Sequence, residues 1–490
     1  MLETTELTHT SPTGLQRKTN WWGAFVIGLA GTILVTGIAP PAVQAMGAAS
    51  VPLFFACSLA AVVLCLCLAE LAAMMPDRTG GMPSYNSETF RDLGPNAAKH
   101  VGGLSTWGYW LAWFPVAPIN MIIAGSYLVT LFNLPKGAEL TLISSPISAT
   151  VLVISIVGII LFFIPCLYGI QLGAKFATVL GVMSMLPITA LVFLPFLQPS
   201  SLHWEYITTF AHPNPDGATF TFYVCWTFIM AWSVLAIEAA ACYIGECREP
   251  ARDARIALSL ASAYGAFIYV GVPLMLVVVL GPTMASEGYA DIFVTFLAYT
   301  RAIFGPEAWV QWAIGIPIIA ALLFTVLHAI MGCGRSLYQA AEDGILPRFF
   351  HHTNRHGVPD FAMTFNVACS LVVVFFGSPL EIYIFSVVGY LLCVGLALIG
   401  YFLYRQNHPE LRRPVRLPGF VRFLALGLGV IFLFIWAYGG YYAADIIIGT
   451  DPPRRWLFFL GLGILSLYVP LYLYRQREDA SNSPRRHDHR

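Results

Sequence analysis

The 490-residue chain is 58% hydrophobic and 11% charged, with a mean hydropathy of +0.72 and a formal net charge of zero. A soluble domain carries roughly 25% charged residues, so a water-soluble globule is excluded. The basic residues are scattered through loops instead of forming one stripe, so no nucleic-acid partner is expected.

In chain order, residues 1–20 are polar, include Arg17 and Lys18, and lack a short apolar segment followed by a small-residue cleavage site. They read as a cytoplasmic tail and not as a removed signal peptide. From Trp21 onward, runs long enough to cross hydrocarbon, about 20 apolar residues each, give twelve expected spans. They are 21–48, 51–75, 104–133, 147–168, 174–197, 221–245, 256–282, 309–338, 361–378, 382–404, 420–440 and 456–474, numbered here 1 to 12. Residues 475–490 read as a polar, disordered cytoplasmic tail whose basic stretch faces anionic lipid. With the N-terminus in the cytoplasm, all of the 26 Lys and Arg except Lys136, Arg301, Arg454 and Arg455 fall on the cytoplasmic side. That partition follows the positive-inside rule, and one miscounted span would scramble it. The expected location is a bacterial inner membrane or a plasma membrane with both termini cytoplasmic. Cys57, Cys65, Cys67, Cys225, Cys369 and Cys393 lie in apolar runs, where a thiol behaves as a small hydrophobe. No disulfide framework, metal site or cofactor is expected.

Two spans carry interruptions. In lipid every backbone polar group must be satisfied internally, so a broken helix is tolerated only beside protein, water or substrate. Span 1 reads Gly28-Leu-Ala-Gly31-Thr32-Ile33-Leu34-Val35-Thr36-Gly37-Ile38-Ala39-Pro40-Pro41, which places an unwound elbow at Val35 to Gly37. Span 6 reads Trp232-Ser233-Val234-Leu235-Ala236-Ile237-Glu238, with small and polar residues mid-span and a carboxylate buried behind them. Paired broken helices at corresponding places in two halves mark a midplane binding site. Free N–H groups at a half-helix N-terminus suit a carboxylate, and free carbonyls at a half-helix C-terminus suit an ammonium. Together they match the head of an amino acid. Two kinked but merely packed helices are the alternative.

Four signatures then stand in order along spans 1 to 8. They are Glu70-Leu71 with Pro76, Gly80-Gly81 and Tyr85; Gly103 to Trp113 (GLSTWGYWLAW); Gly245-Glu246-Cys-Arg-Glu-Pro250; and Gly334-Arg335-Ser-Leu-Tyr338 with Asp343-Gly344-Ile-Leu-Pro347. The chain resembles the amino acid-polyamine-organocation permeases. Within them, Trp232 to Glu238 and Thr178 to Pro187 look most like the bacterial basic amino acid and polyamine antiporters. The resemblance implies an all-α polytopic fold with a five-plus-five inverted repeat. Its first repeat would be 21–197, its second 221–404, with discontinuous helices 1 and 6 and two added helices at 420–474. It implies substrate contacts from Ile33, Thr36 and Gly37, from Ala112, Trp113 and Ala117, and from Trp232 and Leu235; Val35 belongs to the elbow beside them, and Asn120 and Ser233 read as pocket donors or as small polar residues that hold membrane helices together. Among these, Thr36 and Gly37 match N–H groups for the substrate carboxylate, Ile33, Trp232 and Leu235 match carbonyls for its ammonium, and Trp232 matches an aromatic lid. Ala117 stands where the exchangers have a polar amide, and Ala329, next to His328, stands where they have a further aromatic gate.

A carboxylate inside a span costs at least about 2.5 kcal/mol, so Glu238 is read as a proton acceptor or conformational latch, with a hydrogen-bonded structural Glu as the alternative. His328 reads as a packing residue or a titrating one, and Glu70 and Arg335 as inner-gate partners or structural ion pairs. In span 5, Ser184 stands where some proton-coupled relatives carry Lys, and Lys175 sits at the span's start, which leaves exchange, Glu238-linked proton coupling or a cation site. The expected protein is no enzyme but a secondary carrier of an amino acid or related organic amine, with the lipid bilayer as its surroundings and a homodimer compatible with the sequence. A membrane-embedded enzyme would need a catalytic cluster or Walker loop, which is not found. A light subunit tied by a disulfide to a heavy chain would offer a Cys between spans 3 and 4, and Phe132 to Ser145 contains none.

Overall fold

The computed structural model describes residues 19–78, 80–168, 170–286 and 292–482. The expected N-terminal tail lies outside the described residues except for Thr19 and Asn20. The protein is an all-α integral membrane protein. Nine helices among the described residues are long and apolar enough to cross a membrane, or ten if Met185–Leu197 and Pro199–Thr209, bent by 99° where they meet, are one span. The run Trp21–Met74 counts once in that number, although Gly47 (φ 60°) interrupts it, and Phe293–Phe304 and Asp360–Val374 are shorter apolar helices. The strands among the described residues are Glu139–Thr141 and Pro146–Ser148, an antiparallel pair that pushes the start of span 4 to Ala149.

Helix starts follow local chemistry. Pro95, Pro250 and Pro379 open the helices of spans 3, 7 and 10, because proline's missing N–H costs nothing in a first turn. Several helices run beyond the expected limits, among them span 3 from Pro95, span 7 from Pro250 and the last two spans. Span 11 continues through two π-helical turns to Ile448. The helix Tyr468–Asn482 prolongs span 12 into residues read as a disordered tail. That extension is held by Arg475, which donates to the Ala341 and Leu346 carbonyls at 2.8 Å each, and by Asp479, which accepts from Arg475 and Arg348.

The interruptions are present, but the backbone narrows where unwinding was expected. Span 1 runs as α-helix Trp21–Gly28, a 3₁₀ stretch Leu29–Leu34 and α-helix Val35–Met46. Span 6 runs as α-helix Phe220–Leu235 and then as eleven residues of 3₁₀ helix, Ala236–Glu246. Such runs rarely exceed three or four residues, and one inside a helix marks a hinge or strain. The elbow expected at Val35 to Gly37 is therefore corrected to Leu29–Leu34. Pro40 and Pro41 sit inside the second α-helix. A proline withholds its N–H from the carbonyl four residues back, so these two relieve Thr36 and Gly37 of donors to their carbonyls and do not strip the amides there.

Candidate functional site

The two narrowed stretches meet backbone to backbone. A Cβ at Gly31 would lie 2.6 Å from the Ala236 carbonyl carbon and 2.8 Å from the Ile237 nitrogen, and one at Gly28 would lie 2.6 Å from the Ala240 Cβ. Only glycine in span 1 and small residues in span 6 permit that approach. Tyr269 of span 7 bridges the join, its hydroxyl lying 2.7 Å from the Gly31 carbonyl and 2.6 Å from the Ser233 carbonyl. At the other end Thr19 pairs with Cys247 across span 6's terminus, with Thr19 N–H donating to Glu246 and Arg248 N–H donating back to Thr19. Tyr269 was not singled out from the sequence. Its only signal there is a large phenol inside an apolar span, which needs a partner for its hydroxyl.

Glu238 lies on the 3₁₀ stretch and is fully buried. Its Oε1 accepts from Tyr109 of span 3 at 3.0 Å and from Tyr390 of span 10 at 3.3 Å, while Oε2 has no partner among the described residues. Three separate helices therefore converge on one carboxylate. The Tyr109 hydroxyl also lies 3.3 Å from Cys242 Sγ. Sequence reasoning missed both tyrosines, although Tyr109 stands inside the GLSTWGYWLAW run.

Beside this cluster a small gap opens between spans 3, 6 and 8, lined by Tyr109, Trp113, Cys242, Tyr243, His328 and Cys333 with Ala239, Ala329 and Gly332. His328 stands edge-on to Trp113 at 5.7 Å and near Tyr243 at 6.0 Å, so it is a wall residue of the cavity. The Arg335 guanidinium lies 5.6 Å from the Tyr243 ring and 3.9 Å from Glu246.

The other residues expected in the site are all buried, and they divide into groups. Trp232 packs edge-on against Tyr383 at 4.9 Å, and the same tyrosine's hydroxyl stands over Gly37. Trp232 Nε1, Ser233 Oγ and Trp113 Nε1 have no partners among the described residues. The Ile33 carbonyl receives the Thr36 hydroxyl at 2.8 Å and the Val35 N–H, so it is occupied within span 1. Val35 and Leu235 pack in the core on either side of the narrowed stretches. Ala112 and Ala117 are fully buried and do not reach the cavity wall. Asn120 donates one amide N–H to the Val116 carbonyl of its own helix at 2.8 Å and does not line the cavity.

Glu70 and Arg335 do not pair with each other. Glu70 takes Arg405 at 3.3 Å, Arg413 at 3.6 Å, the Tyr401 hydroxyl and the Leu417 N–H, which ties span 2 to the end of span 10 and the loop after it. The side chains of Lys175 and Ser184 lie outside the described residues. Among the described residues no three His, Cys, Asp or Glu side chains group closely enough to hold a metal ion.

A buried carboxylate between two hydroxyls, a small cavity and two narrowed helices in contact lie together in the core of this membrane protein. The chain belongs to the amino acid permease family, whose model matches residues 20–465. It is 28% identical over 204 residues to a glutamate/gamma-aminobutyrate antiporter of Lactococcus lactis subsp. lactis, covering 39% of this chain and 40% of that protein. It is 24% identical over 166 residues to solute carrier family 7 member 13 of Mus musculus, covering 34% and 32%. The matched stretches thus span well under half the length of either relative.

Proposed function

We propose that this chain is a secondary active carrier that moves an amino acid or a related organic amine across a plasma membrane or bacterial inner membrane by alternating access. In this reading twelve spans cross the bilayer, the first ten as two inverted five-helix halves, with both termini cytoplasmic; the distribution of Lys and Arg supports that orientation. The observation that carries the proposal is the facing of the 3₁₀ stretches Leu29–Leu34 and Ala236–Glu246, with Tyr269 hydrogen-bonded to Gly31 in the first and to Ser233 in the helical turn before the second. Helices interrupted at equivalent places in two repeats are where carriers of this architecture bind solute.

In this mechanism the closed join is one state of a cycle. Trp232 and Tyr383 cover the solute position, and separation of Gly31 from Ala236 exposes main-chain groups on both helices to the solute head. Glu238 is the latch. While ionised it accepts from Tyr109 and Tyr390, charge-assisted hydrogen bonds that are stronger than neutral ones, and so holds spans 3, 6 and 10 together. Protonation removes the charge those hydroxyls seek and loosens the three helices, which couples a proton or an exchanging solute to opening.

Relatives named as glutamate/gamma-aminobutyrate antiporters favour exchange. The narrower reading as a basic amino acid or polyamine antiporter rests on the resemblance of Trp232 to Glu238 and Thr178 to Pro187. The deciding experiment is a counterflow screen in proteoliposomes with labelled amino acids and amines, with and without a proton gradient. Saturable accumulation of at least one of them is expected, and a folded, correctly inserted protein that exchanges none would end the carrier reading.

A further inference from the structure

The Tyr383 hydroxyl is one of the buried polar groups that the account above leaves unexplained. Tyr383 lies near the start of the helix Pro379–Asn407 and is 1% exposed, and its oxygen has no hydrogen-bond partner among the described residues. A buried hydroxyl without a protein partner carries a desolvation penalty that a bound acceptor would relieve. The hydroxyl is aimed. A Cβ at Gly37 would meet it at 3.0 Å, and the ring stands edge-on to Trp232, 4.9 Å between centroids and 68° between planes. Two further unpartnered polar atoms, Trp232 Nε1 and Ser233 Oγ, belong to residues of the same neighbourhood and are as deeply buried. The Tyr383 hydroxyl is thus a donor held against the Gly37 main chain where spans 1 and 10 meet, and once those spans part it suits an acceptor with several lone pairs, of which a carboxylate is one.

We propose that the Tyr383 hydroxyl donates to the α-carboxylate of the transported solute beside Gly37, and so sets the preference for amino acids over the amines they yield on decarboxylation. The inference rests on the carrier reading and names a specificity residue for the same site. It also gives span 10 a role in sensing the solute. Tyr390, which holds Glu238, lies seven residues further along the same helix. At 3.6 residues per turn the two side chains share one face about two turns apart. A carboxylate that engages Tyr383 therefore acts on the element that also carries a hydroxyl of the Glu238 latch.

The test compares Tyr383→Phe with the unaltered protein in proteoliposomes, using three labelled pairs that differ only in the α-carboxylate: glutamate and 4-aminobutyrate, arginine and agmatine, leucine and isoamylamine. For whichever pair the unaltered protein carries, the variant is expected to raise KM for the amino acid at least tenfold more than it raises KM for the amine. Loss of the hydroxyl as a merely structural group would shift both members alike, and that result would overturn the proposal. Gly37→Ala, which crowds the hydroxyl without removing it, is the second variant and is expected to penalise the amino acid selectively; equal effects on both members would again overturn it. If the unaltered protein carries no member of any pair while it exchanges some other solute that lacks a carboxylate, this inference fails and the carrier reading stands. If it exchanges nothing, both fail.

Discussion

Tyr109 donates its hydroxyl proton to Glu238 across 3.0 Å, and this single bond ties span 3 to the narrowed half of span 6. Tyr390 adds a second donor to the same oxygen from span 10. A carboxylate that both hydroxyls address is placed to report its protonation state to three helices at once.

Glu238→Gln is therefore expected to flatten the pH dependence of transport, because an amide keeps an acceptor for the tyrosines but cannot take up a proton. The check is initial-rate counterflow from pH 5 to 8. An unchanged pH profile would assign Glu238 to structure.

Trp232→Ala is expected to reduce transport at least tenfold in a protein that still inserts and elutes as a single species. The side chain is 1% exposed and packs on Tyr383, so its removal opens the cover over the solute position. Aromatic-to-alanine changes in a core cost about 3–5 kcal/mol, and thermal unfolding in detergent should fall in parallel. Full uptake by a well-expressed variant would remove Trp232 from the site.

Tyr269→Phe leaves the Gly31 and Ser233 carbonyls without their shared donor. A buried acceptor deprived of its partner costs about 1–3 kcal/mol. We expect a measurable loss of thermal stability together with a severalfold lower counterflow rate, since spans 1 and 6 would no longer be held in step. A stability loss with unchanged turnover would make Tyr269 a packing residue only.

How far these features could be read from the sequence depends on whether their cause is local. The presence of a break in spans 1 and 6, and the burial of Trp232 and Glu238, were legible because Gly, Ser and a carboxylate inside apolar runs need a reason to be there. The position of the first break was not. Thr36-Gly37 with Pro40-Pro41 is a strong local signal for an elbow, yet the helix narrows one turn earlier, where Gly31 meets the Ala236 main chain, a contact set by tertiary packing across some two hundred residues. Span 6 breaks without a glycine for the same reason: Ala236 and Ala240 are the small residues that Gly31 and Gly28 of span 1 approach. Tyr109, Tyr269, Tyr383 and Tyr390 carry the polar chemistry of the core but look like ordinary aromatic residues of apolar spans, so only the structure distinguishes them. Residues 475–482 were misread because their polar composition suits a tail, whereas Arg475 and Asp479 find partners at the end of span 8 and in the loop after it.

On the opposite face, Arg454 pairs with Glu381, and the Ser145 hydroxyl donates to the same carboxylate at 2.8 Å. Glu381 is 1% exposed. Arg454→Ala strands that carboxylate and is expected to destabilise the protein by about 3 kcal/mol, the lower end for a broken buried pair because Arg454 is itself partly exposed. Arg454→Met combined with Glu381→Leu should recover much of the loss. Denaturant unfolding of the three proteins decides it, and a double variant no more stable than Arg454→Ala would show that the pair is not what matters there.

The account depends on spans 1 and 6 closing on each other at Gly31 and parting again to pass a solute. The most direct measurement is the counterflow rate of Gly31→Ala in proteoliposomes, since the added methyl would sit 2.6 Å from the Ala236 carbonyl carbon in the closed join. We predict a rate at least tenfold below that of the unaltered protein, with solute binding retained. A Gly31→Ala protein that exchanges at the full rate would contradict it.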